Sequence, residues 1–182
     1  LVTSKSLIGE RLNEDISDKF DGIWETDDGE LAYIKCLNNG DLLTASVSWK
    51  DEGFQLEKTR FILSKCNEKN FINFPESEIF DEDNSKFVFC CYSFVSDNTL
   101  IVWMPRINAF AEAIGSGQLK GNVTESEKKP VKENTDTTSN NKLSVVIEEP
   151  SDSLCNFIKE KGVTTLFDLE NPIVYKKIKK LN

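Results

Sequence analysis

The chain has 182 residues, 38% of them hydrophobic, which is enough for one full core and too little for two comfortable ones. Its 31 acidic against 22 basic residues give a net charge of -9, which repels nucleic-acid backbones and anionic membrane surfaces. Histidine is absent, which removes every imidazole-dependent triad or dyad and every histidine-bearing zinc or iron site.

In chain order, residues 1–21 read as a polar N-terminal arm laid across one end of the domain, and residues 22–182 as a single β domain. Ile8, Leu12, Ile16 and Phe20 recur every fourth residue and allow a short amphipathic helix within the arm. Strand-length runs at 30–37, 41–50 and 53–66 are separated by Asp27-Asp28-Gly29, Leu37-Asn38-Asn39-Gly40 and Asp51-Glu52-Gly53. Each turn ends in a residue free to take positive φ, so successive strands are antiparallel neighbours in a meander. Leu43, Ala45, Val47 and Trp49 alternate with Thr44, Ser46, Ser48 and Lys50, predicting a core face and a solvent face. Further on, Phe54 and Leu56 occupy one parity and Phe61 and Leu63 the other, which predicts a bulge or sharp bend.

A short strand over 71–74 stops at Pro75, and the acidic loop 76–84 leads to the centre of the chain. There, Lys86 to Pro105 reads as a hairpin turning at Ser96-Asp97-Asn98. Its first run is apolar on both parities, so it must be covered on both faces and sits at the centre of the fold. Ile107, Phe110, Ala111 and Ile114 predict a helix over about 107–115, stopped by Gly115 and Gly117. Residues 125–142 bury almost nothing and read as a mobile excursion between strands at 119–124 and 143–147. A second helix spans about 151–161, capped by Ser151 or Asp152 and packing Leu154, Phe157 and Ile158. Thr165–Leu169 and Ile173–Ile178 flank Asn171-Pro172; the second fits strand or helix and reads as a strand because Ile-Val-Tyr opens it.

Cys36, Cys66, Cys90, Cys91 and Cys155 have an odd count and no C-x-x-C spacing, so they read chiefly as small buried hydrophobes. One bridge, such as Cys36 to Cys66, is compatible with the sequence. No run approaches the ~20 apolar residues needed to cross a bilayer, and the protein reads as soluble. The chain begins at Leu1, so either a signal segment has been removed or the chain has been trimmed. Lys176, Lys177, Lys179 and Lys180 form a terminal basic cluster, read as a solvated face rather than a lipid or acidic-partner site.

Gly22-x-Trp24 at the head of an antiparallel meander, with a helix near the end of the chain, resembles the lipocalin and wider calycin barrels. The resemblance implies a mainly β, up-and-down meander closing into a barrel, with Trp24 as a structural plug at one end. The layout is also similar to small bacterial envelope lipoproteins with a late Ser-x-x-Leu-x-x-Phe-Ile helix, here Ser151, Leu154, Phe157 and Ile158. That likeness implies export and a periplasmic or envelope-anchored location; the alternative is cytoplasmic.

Large aromatic residues offer a candidate ligand-binding interior: Tyr33, Trp49, Phe61, Phe89, Tyr92 and Trp103. About eight strands enclose a lumen that side chains just fill or that holds one small apolar ligand. The carboxylates all have turn or surface explanations, and Asp81-Glu82-Asp83-Asn84 lacks the spacing of a calcium loop. No catalytic motif, metal site or cofactor is assigned. The expected function is non-enzymatic binding of a small hydrophobic molecule, or an envelope-accessory role. The alternative is a surface module that binds a protein partner through residues 125–142 or through sheet edges.

Overall fold

The computed structural model describes residues 1–13, 16–50, 53–75, 86–126 and 142–180, without the side chains of 48–50, 54, 126 and 142. Among the described residues the strands are β1 (Val2–Ser4), β2 (Glu10–Arg11), β3 (Gly22–Thr26), β4 (Leu31–Cys36), β5 (Leu42–Lys50), β6 (Gly53–Cys66), β7 (Lys69–Pro75), β8 (Phe87–Ser96), β9 (Thr99–Trp103), β10 (Gly121–Ser126), β11 (Lys142–Ile147) and β12 (Ile173–Lys180). The helices are α1 (Ser17–Phe20), α2 (Ile107–Gly115), α3 (Ser151–Lys161) and α4 (Val163–Leu166).

Strands β3 to β9 run as an unbroken antiparallel meander, and β12 inserts between β9 and β3 to close it. The result is an eight-stranded barrel. Turn chemistry explains the order. Gly29 and Gly40, at φ +86° and +81°, occupy left-handed positions in the β3–β4 and β4–β5 turns that a Cβ would strain. Gly40 also sits so close to the N-terminal segment that a Cβ would come within 2.5 Å of the Leu12 carbonyl oxygen.

β8 is the shared wall of the molecule, as its two apolar parities require. Cys90 and Tyr92 belong to the core inside the barrel, with Trp24, Ile34, Leu42, Leu63, Ile72, Leu100 and Val102. Phe89 and Cys91 belong to a second core outside it, with Phe71, Phe110, Val145, Ile147, Leu154 and Phe167. The outer core exists because β8 changes partners along its length. Phe87 and Val88 pair with β1, whereas Cys91 to Ser96 pair with β9. β1 in turn lies parallel to β11, and β10 forms the outer edge of this extension. α2, α3 and α4 cover it, each fully buried Phe or Leu contributing roughly 1.5–3 kcal/mol.

The first 21 residues are thus distributed: β1 joins the sheet extension, β2 pairs with β6, and α1 precedes the first barrel strand. The amphipathic helix over 8–20 is replaced by β2 and the single turn α1. Gly9 explains the break: at φ +78° it passes within Cβ distance of the Lys65 carbonyl, an approach only glycine allows. The preceding Ile8 is held by Asn73, whose side-chain oxygen accepts from its N–H at 3.1 Å, and by Ser64, whose hydroxyl donates to its carbonyl.

Both longer helices occupy the predicted spans, but Ser151 does not cap its own helix. Its hydroxyl accepts the Gly9 N–H at 2.9 Å instead, tying the N-terminal segment to α3. Ile173–Ile178 lies within β12, the strand rather than the helix reading, while in residues 165–169 α4 covers the first two and Phe167 makes an isolated bridge to Pro105. Leu166 and Phe167 point into the outer core, and that burial decides the local structure. The expected bulge in β6 is also absent. Its register with β5 runs without a shift from Leu42↔Phe61 to Lys50↔Gly53. The parity change arises because Leu56 faces outward, 61% exposed, whereas Phe61 packs inward.

Cys66 on β6 and Cys155 on α3 form a disulfide across a Cα–Cα distance of 5.6 Å, within the usual range. The Cys36–Cys66 pairing is therefore overturned. Cys36 lies in the barrel core while Cys66 faces the outer one, so the barrel wall separates them. Cys36, Cys90 and Cys91 take no part in a disulfide and are buried, as small hydrophobes would be. The acidic loop 76–84, its Asp81–Asn84 cluster and most of the 125–142 excursion lie outside the described residues.

Candidate functional site

One end of the barrel is closed by local chain geometry. α1 ends at Phe20, and Gly22 and Trp24 follow on β3; the Trp24 indole N–H donates to the Phe20 carbonyl at 2.7 Å. Trp24 is fully buried, and Phe94 packs against both rings, edge-on to Phe20 at 5.0 Å between centroids and tilted to Trp24 at 6.3 Å. Tyr92 adds an edge contact to Phe20 at 5.7 Å. These aromatic groups fill the closed end.

The other half of the barrel encloses a cavity of about 310 Å³. Strand register orders its lining. Leu42 and Phe61, paired across β5 and β6, lie deepest on that wall; Thr44 and Thr59 follow, then Ser46, then Thr26 and Tyr175 towards the mouth. Ile72, Phe74, Cys90, Leu100 and Val102 make the opposite wall from β7, β8 and β9. One wall is thus rich in hydroxyls and the other apolar. Glu30, in the β3–β4 turn, places the one carboxylate of the described lining at the rim, and no described lining residue is a lysine or arginine.

This arrangement reverses the expected faces of β5. Leu43 and Val47 point outward, Val47 61% exposed, while Thr44 and Ser46 line the cavity. The physical reason is pairing. Directly opposed residues share a face, and Leu42 is opposed to the inward Phe61, so Leu43, Ala45 and Val47 face out.

Of the aromatic residues nominated for the interior, Phe61 lines the cavity and Tyr92 lies in the same core beneath it. Phe89 and Trp103 belong to the outer core, because each has the opposite parity from a neighbour that faces the lumen. Tyr33 is 42% exposed on the outer wall, its neighbours Ala32 and Ile34 taking the inward positions. The Trp49 side chain lies outside the described residues. Sequence reasoning missed Thr44, Ser46, Thr59, Tyr175 and Glu30 as lining groups. The inward parity of Phe61 and Leu63, carried across the hairpin, was the signal that locates the first three.

Ionisation in the site follows burial. Desolvation pushes the Cys90 thiol up to about 12, with the neighbouring Cys91 adding to the shift, so it is a protonated and weak nucleophile at neutral pH. Burial also raises Tyr175, and Cys90, Glu30 and Asp28 reinforce that rise electrostatically. Among the described residues no group of three or more acidic or cysteine side chains is placed to hold a metal ion. No described helix is long and apolar enough to cross a membrane.

Comparison of the chain with protein-family models, curated proteins and solved structures returns no match. The class is set by the architecture itself: a closed, eight-stranded antiparallel meander of the calycin-like kind, with aromatic groups filling one end and a cavity at the other.

Proposed function

We propose that this protein is a non-enzymatic, lipocalin-like carrier that holds one small, predominantly hydrophobic molecule in the open half of its barrel. The cavity carries the reading. At about 310 Å³ it falls at the lower end of small-molecule sites, and its walls are largely apolar with a few placed polar groups. The Cys66–Cys155 disulfide supports export to an oxidising compartment such as the periplasm, where an envelope-accessory role belongs.

The test is fluorescence titration with the neutral probe N-phenyl-1-naphthylamine. Saturable binding at one site per chain is expected, with loss on Ser46→Trp, which fills the cavity from one wall; circular dichroism checks that the variant folds. Probe binding that is unsaturable in the parent, or unchanged in the folded variant, removes the proposal.

A second reading has one observation in its favour. On the outer wall Val47 and Leu56 form an exposed cross-strand pair, with Tyr33 and Leu43 exposed on the same face. Such a surface suits a protein partner; of the regions first expected to recruit one, residues 127–141 lie outside the described set. Retention of the parent on an affinity column, abolished by Val47→Lys with probe binding intact, distinguishes this role.

A further inference from the structure

Deepening the ligand-binding reading, on which it rests, we infer that the barrel selects an apolar molecule with a neutral or cationic hydrogen-bonding head, and that Glu30 discriminates against carboxylate-headed lipids. Three features of the cavity lead there.

The polar groups are arranged for a head rather than for a bare hydrocarbon. Ser46, Thr59 and Tyr175 line the cavity, and none of their hydroxyls has a partner among the described residues. Thr44 differs, since its hydroxyl already donates to the Thr59 carbonyl at 3.2 Å. A purely apolar occupant would leave the three hydroxyls dry and unpaired, whereas an alcohol or amine offers them partners.

The charge in the described lining has one sign, and the Lys176 ammonium beside the same turn lies on Asp27 at 3.4 Å, outside the lining. Glu30 is the ionisable carboxylate of the lining, forms no ion pair among the described residues, and has Asp28 two positions away in the same turn. A fatty-acid carboxylate ordinarily needs a lysine, an arginine or several N–H donors to replace its water. The described lining supplies neither lysine nor arginine. The bound carboxylate would also face a like charge inside a low-dielectric cleft, where repulsion is stronger than in bulk water.

The apolar wall fixes which end enters first. Ile72, Cys90, Leu100 and Val102 offer no charged group, and the far end is filled by Trp24, Phe20 and Phe94. The body of the ligand therefore lies inward, and its head remains at the level of Glu30 and Tyr175.

The experiment is displacement of N-phenyl-1-naphthylamine by decanol, decylamine and decanoate at neutral pH and low salt, on the parent and on Glu30→Gln. In the parent, the alcohol and the amine should displace the probe at concentrations at least tenfold lower than decanoate. In Glu30→Gln the gap between amine and carboxylate should narrow at least threefold. Equal displacement by decanoate in the parent, or a gap that Glu30→Gln leaves intact, overturns the selection while leaving the carrier role standing. Failure of the probe to bind the folded parent overturns both.

Discussion

The ammonium of Lys177, on the last barrel strand, lies 4.8 Å from the centroid of the Trp24 ring on the first. The same group donates to the Lys19 carbonyl at 2.6 Å, so one side chain links β12, the closing residue Trp24 and the end of α1. Burial lowers its pKa below the ordinary value, and the positive charge of Lys180 lowers it further. It is held there by the ring face and the carbonyl rather than by an acid.

Replacing Lys177 by alanine removes the ring contact and that hydrogen bond, at a cost of about 1–2 kcal/mol. Lys177→Met keeps the aliphatic stem over the indole and should recover part of the loss. Urea titration followed by tryptophan fluorescence measures both. Equal midpoints for parent and alanine variant would show that the seam between β12 and β3 closes without this residue.

The barrel was legible in the sequence where turn chemistry and parity agreed. Gly29 and Gly40 announced hairpins, and the double apolar parity of Phe87 to Phe94 announced a strand covered on both sides. The cavity was less legible, because alternation says that two faces differ without saying which one turns inward. In β5 the more apolar face, Leu43 and Val47, turns outward, since pairing with Phe61 outranks composition. Phe89 and Trp103 were assigned to the lumen because a second core outside the barrel is invisible until β1, from the other end of the chain, is seen beside β8.

Thiol counting tests the cysteine framework. Alkylation in denaturant without reductant should label three cysteines, Cys36, Cys90 and Cys91, and after reduction all five. Peptide mass spectrometry should find Cys66 joined to Cys155. Because the bridge closes a separation of 89 residues between barrel and helix, reduction should cost about 2–4 kcal/mol. A peptide joining Cys36 to Cys66 would contradict the wall that stands between them.

Alkaline stability follows from the same buried thiols. Desolvation raises Cys90 from 9.0 to about 12 and Cys91 from 9.0 to about 11, so the folded chain keeps protons that the unfolded chain releases. Their contribution is complete below about pH 9 and is lost progressively as pH rises towards the folded-state values. Urea midpoints should fall between about pH 8 and about pH 10.5, and less steeply in Cys90→Ala/Cys91→Ala. Parallel slopes for parent and double variant would remove the thiols as the cause.

Asp41 supplies the last test, because its carboxylate is fully buried yet bound by two half-exposed arginines. Arg11 from β2 pairs with one oxygen, and Arg60 from β6 reaches the other through Nε at 2.6 Å. The Asn39 amide adds a bond at 3.1 Å. Removing the acid does not strand a buried charge, since both guanidinium groups reach water, so Asp41→Asn should cost about 1–3 kcal/mol rather than the larger penalty of an orphaned ion. The loss should be local as well as global. Leu12 donates to the Leu63 carbonyl just beyond Arg11, and its amide should exchange faster once the clamp is gone. Arg11→Ala should speed the same amide, whereas Arg60→Ala, which leaves Arg11 on Asp41, should not. Unchanged exchange at Leu12 in Asp41→Asn would mean that the N-terminal segment is held instead by Asn73, Ser64 and Ser151 at Ile8 and Gly9.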